Sequence, residues 1–221
     1  MHTSGTAGTL SEMLYLVMAS ICNWRYIMQD IEIKIVRAAF PQELNEEVES
    51  VFRKLRFDKF GSHTTYEELR INNFNIRLPA RVYFNELTPE ELVALDEREY
   101  KVLCCYFTRH HNGFIREKYL RKVLSQTSLY DWELPFICAL IGEYVVEILE
   151  VIYDNWDFVC RSGMARFIED NPKYITTIEG RIASYWGEYY MSGYPKREYV
   201  GFKLKKELRS MRKGLNQVTG G

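Results

Sequence analysis

The string Arg109-His110-His111-Asn112 carries two of the four histidines in the chain. Imidazole can ligate metal or shuttle protons near neutral pH. Adjacent side chains diverge on a helix or turn, however, so this pair alone does not make a metal site. The other histidines, His2 and His63, lie at no ligand spacing from it. The string reads as a polar turn between helices, with Arg109, His110 and His111 facing solvent as a contact for a partner or a phosphate.

Glu143, Glu147, Glu150 and Asp154 recur at i, i+4, i+7 and i+11, which places four carboxylates on one face of a continuous helix. Paired carboxylates do acid–base chemistry when burial raises one of them. They hold two metals when each is joined by an ExxH partner, and that partner is missing here. A solvated acidic stripe that attracts a basic partner is the expectation. Near the C-terminus Lys203, Lys205, Lys206, Arg209, Arg212 and Lys213 crowd one helical segment, with Lys196 and Arg197 before it. Such a patch suits nucleic acid or an acidic protein. It could equally pair with the acidic stripe, within the fold or between subunits.

Nucleophile and phosphate motifs are absent: there is no GxSxG, no Gly-rich phosphate loop and no HExxH. The five cysteines, among them Cys22 and the Cys104-Cys105 pair, sit in apolar stretches with no CxxC spacing. The odd count and the missing CxxC suggest neither a zinc cage nor a disulfide framework, and fit buried thiols in a reducing cytoplasm. No catalytic residue, metal or cofactor is assigned.

Hydrophobic residues make up 47% of 221, enough for a sizeable core, which disordered chains lack. A formal net charge of -1 excludes a global bias towards nucleic acid or an anionic membrane, so any such binding must be local. The apolar run from Leu14 to Cys22 is too short for a membrane span and has no basic residue ahead of it, unlike a secretory signal. Residues 1–27 are expected to be an extension whose deletion leaves stability unchanged, with Met28 offering an alternative start. Residues 28–215 should form one helical domain, and 216–221 a loose tail.

The rest of the chain reads as helices. Prolines and glycines fall between segments whose apolar residues recur at helical spacing. Thr88-Pro89-Glu90-Glu91 has the cap, the first-turn proline and the acids of a helix start. Leu69, Ile71, Ile76 and Leu78 break the pattern by alternating about Asn72-Asn73, which predicts a short β-hairpin over 69–78. Asp157 to Ile168 reads as one helix. Trp132 and Tyr144 are expected in the core, and Tyr185-Trp186 with Tyr189-Tyr190 in the core or an interface.

Two helix pairs align at a spacing of 31 residues, with Ile115 on Val146, Arg116 on Glu147 and Leu120 on Val151. Through residues 112–120 (Asn112-Gly113-Phe114-Ile115-Arg116-Glu117-Lys118-Tyr119-Leu120) and Trp132-Glu133-Leu134-Pro135, the stretch from Glu97 to Asn155 resembles the HEAT-like α-solenoid proteins. The resemblance implies a mainly α fold of stacked helical hairpins. An irregular helical bundle is the alternative architecture. Arg116 and Glu147 would then meet across neighbouring second helices. The expected function is a non-enzymatic module that binds another protein, of the immunity or adaptor type. A nucleic-acid-binding helical repeat that uses the basic C-terminal helix is the alternative.

Overall fold

The computed structural model describes residues 33–56 and 65–218. The expectations for residues 1–27, including Cys22, and for Met28 lie outside them. Helical backbone over 33–37 leads through a 3-10 turn at Gln42–Leu44 into helix α1, Asn45–Lys54, whose buried face is Val48, Val51 and Phe52.

Strands β1, Tyr66–Ile71, and β2, Phe74–Pro79, pair antiparallel with Ile71 opposite Phe74, so Asn72-Asn73 is the two-residue turn. Asn72 adopts φ 51°, a left-handed conformation that asparagine tolerates better than most residues. Leu69, Ile71, Ile76 and Leu78 all face the core. The outer edges of this small sheet are also occupied. Arg77 N donates to Ala38 O, and the Asn171 side chain accepts from Arg70 N while donating to Arg70 O. Covered edges cannot template pairing with other chains.

Helix α2, Pro89–Val93, begins at the predicted Thr88 cap, where Thr88 and Glu91 form a reciprocal capping box. Asp96 and Glu99 repeat the device at the start of α3, Glu97–Phe107. Asn112 caps α4, Gly113–Leu124. Next come α5, Leu134–Ile141, and α6, Val146–Asp154. The predicted helix from Asp157 to Ile168 is interrupted. After α7, Trp156–Val159, the chain widens into a π turn at Cys160–Met164, where Gly163 takes φ 100°. It resumes as α8, Ala165–Asp170. Helix α9, Pro172–Tyr185, runs into a second π turn at Trp186–Tyr190, and α10 spans Val200–Val218, into the segment expected to be a tail.

The fold is mainly helical with one two-stranded hairpin. Its helices pack in order. Helix α1 packs on α3, α3 on α5 and α5 on α9, while α4 packs on α6 and α6 on α10, which also meets α8 and α9. One apolar core cluster draws residues from the hairpin and from most of the helices. Phe40 anchors one end, stacked on Phe136 at 5.2 Å and edge-on to Trp132 at 5.8 Å.

Gly201 is required where α10 meets α9. A Cβ there would lie 2.5 Å from the buried Tyr199 ring and 3.1 Å from Ile182. Gly201→Ala should therefore destabilise by about 1–3 kcal/mol, the usual cost of overpacking. A urea midpoint equal to that of the parent protein would contradict this.

Candidate functional site

The turn at Arg109–His111 lies inside the protein, which corrects the expectation that it faces solvent. The segment after β2 runs alongside it: Val82 N donates to Arg109 O, and His111 N donates to Val82 O. This bridge pulls the turn under the hairpin. Arg109 is 5% exposed and His110 is 2% exposed. His110 Nε2 lies 2.8 Å from Phe84 O, and its Nδ1 accepts from Asn112 N. His111 is half-buried and stacked on Tyr83 at 4.9 Å. Both rings are engaged in structure.

Glu143 is also displaced from its expected place. Gly142 ends α5, Val145 is extended, and α6 starts only at Val146, so Glu143 precedes the helix that was to carry it. It is 3% exposed and points at three guanidinium groups. Arg81 Nη2 lies 2.7 Å from Oε2, Arg116 Nη2 3.4 Å from the same oxygen, and Arg109 Nη1 3.5 Å from Oε1. Backbone carbonyls take further donors: Arg109 bonds Pro79 O and Ala80 O, and Arg116 Nη1 bonds His110 O and His111 O, while Arg116 Nε is buried without a hydrogen-bond partner. Burial pushes the Glu143 carboxyl up, but Arg109, Arg116 and Arg81 outweigh it and hold the carboxyl below its ordinary value. Burial likewise depresses Arg109 despite Glu143. One carboxylate thus ties the segment after β2, the Arg109–His111 turn, α4 and the α5–α6 junction together.

The predicted contact between Arg116 and Glu147 is corrected by the same geometry. Arg116 is fully buried, its acidic partner is Glu143, and Glu147 is exposed. Glu147, Glu150 and Asp154 do share the outer face of α6. Among the described residues they form no ion pair with α10, whose Arg209 and Arg212 instead hold Glu179 of α9 at 2.7 and 3.3 Å. Lys203, Lys206, Arg209 and Lys213 are exposed, and Lys205 and Arg212 half-buried.

No chemistry emerges from the other reactive groups. Cys104, Cys105 and Cys138 are buried, and burial raises each thiol, that of Cys104 to about 12. Glu133, raised by burial, accepts from Tyr130 N and Gln126 Nε2. Among the described residues no three His, Cys, Asp or Glu side chains gather as a metal site.

A tyrosine surface was not foreseen as a single site. Tyr144, expected in the core, is 43% exposed, because it sits in the α5–α6 turn. Its ring lies 5.9 Å from Tyr185 and 5.8 Å from Tyr189, and those two lie 6.1 Å apart. Tyr190 Oη donates to Tyr144 O at 2.5 Å and clamps the second π turn against this corner. Tyr189 and Met191 are 59% and 62% exposed. Glu147 is close enough to help raise the Tyr190 hydroxyl, after burial. The sequence signal was the pair Tyr185 and Tyr189 at i, i+4, but not the distant Tyr144. The arrangement offers three mutually supported rings, a flexible methionine and a carboxylate edge. Such rings and a methionine can pack against another surface. Set against known proteins, the chain matches no family model, no curated protein and no solved structure.

Proposed function

We propose that the protein is a non-enzymatic protein-interaction module of the adaptor or immunity type, and that its contact surface is the Tyr144–Tyr185–Tyr189 corner. The exposed Tyr144 and Tyr189, packed together with the half-buried Tyr185, carry this reading. Tyrosine is enriched among residues that dominate binding energy, because it buries a large rigid ring with few rotatable bonds. Glu147, Glu150 and Asp154 extend the corner along α6, so the partner that complements it presents basic residues. The ordered packing of α3–α4 and α5–α6 supports a HEAT-like arrangement of hairpins as the scaffold. Among the described residues no helix is long and apolar enough to cross a membrane. The protonated free thiols suit a reducing, cytoplasmic setting.

The test is affinity purification of the full chain beside a Tyr144→Ala/Tyr189→Ala variant. The parent should retain one stoichiometric protein with a basic contact surface, and the variant should lose it while keeping its melting temperature. Equal retention by both would contradict the assigned surface.

A further inference from the structure

Helix α10 and the 191–199 segment enclose a surface basin of about 470 Å³, lined by Lys196, Lys205, Lys206, Arg209 and Lys213 over the face of Phe202. We propose that this basin binds a compact polyphosphate anion, a chain of linked phosphates either free or carried by a nucleotide.

The charge balance points to an anion. Five cationic side chains line the basin. Among the described residues, Glu179 is the carboxylate that pairs with them, accepting from Arg209 Nε at 2.7 Å and shared with Arg212. Lys205 spends its ammonium on Glu179 O, a neutral carbonyl. Burial pulls the Lys205 ammonium down, and Arg209 and Lys196 add repulsion despite Glu179. A polyanion would relieve this crowding. Lys196 lies over Phe202 at 5.0 Å and Trp186 at 5.8 Å, which places its charge on the far wall of the basin. Ser210 adds a neutral donor at the rim. A concave, one-signed site of this kind concentrates field lines and raises the local level of counter-charged ligand.

Size and surroundings favour a compact ligand over a nucleic-acid strand. Lys205, Arg209 and Lys213 follow each other one helical turn apart, a run of roughly 12 Å at 1.5 Å per residue. That length matches only about three or four phosphates of a duplex strand. Helix α6, which packs against α10, presents Glu147, Glu150 and Asp154 to solvent, and their negative charge disfavours a long strand laid across both helices. The volume falls in the range of small-ligand sites.

Calorimetric titration of the full chain with inorganic tripolyphosphate, ATP and a 20-nucleotide single strand tests the proposal. Parallel titrations use a Lys206→Gln/Lys213→Gln variant and Arg121→Gln, a cation on α4 outside the basin. Tripolyphosphate should bind one to one and raise the melting temperature. The double variant should bind at least tenfold more weakly, and Arg121→Gln should be unchanged. ATP equal to tripolyphosphate would assign recognition to the phosphate chain alone, and tighter ATP binding would assign a nucleotide source. No saturable binding below about 1 mM overturns the site. So does an equal loss in Arg121→Gln, which would mean general charge attraction. Preferential binding of the single strand, with a steeper salt dependence, overturns the compact ligand in favour of nucleic acid.

Discussion

Glu143→Gln should cost about 3–5 kcal/mol of folding stability, the usual penalty for stripping one partner from a buried ion pair. Glutamine keeps the size of the side chain and one acceptor, so packing changes little. What is lost is the one negative charge facing Arg81, Arg109 and Arg116. Two of those guanidiniums are almost wholly out of water and cannot be resolvated without opening the structure. The same carboxylate predicts a pH dependence. Its folded pKa lies below its unfolded value near 4.5. Its stabilisation is therefore present above about pH 4.5 and fades as pH falls through the folded pKa. Urea denaturation from pH 7 to pH 3 should show the parent losing stability on acidification more steeply than Glu143→Gln. Parallel pH profiles would mean that the carboxylate contributes no charge interaction to folding.

Trp132→Ala should cost a similar amount, about 3–5 kcal/mol, by opening a cavity. The indole is buried in the 3-10 turn Asp131–Glu133 that leads into α5, edge-on to Phe40 and 6.2 Å from Tyr130. Phe40 comes from the segment before α1, so the indole joins the N-terminal part of the described fold to the second helix pair. Rigid aromatic neighbours leave little scope for collapse into the gap. Chemical denaturation gives the magnitude, and a loss under 1 kcal/mol would show that the site repacks.

What the sequence disclosed follows from the range of the interactions involved. The hairpin was legible because alternation and the Asn72-Asn73 turn are local signals. The Thr88 cap was legible for the same reason. The acidic stripe was only partly legible. Periodicity places Glu143 in line with Glu147 and Glu150 if the helix is continuous, but the chain breaks at Gly142 and Val145 and turns Glu143 inward. Nothing in local spacing reveals that its partners sit at Arg81 and Arg109, on segments 62 and 34 residues away. Polar residues such as Arg109 and His110 read as surface until long-range partners are known. Tyr144 failed in the opposite sense. A large ring in an apolar neighbourhood reads as core, yet its place in the inter-helix turn carries it outward to meet Tyr185 and Tyr189.

The most direct test of the interaction surface is site-specific cross-linking in the native cell. A photoreactive amino acid replaces Tyr189 in one full-length protein and Glu68, exposed on β1, in another. One discrete heteromeric product is expected from position 189 and none from position 68. Cross-linking from position 68 alone, or equal products from both positions, would contradict the tyrosine corner as the place where a partner docks.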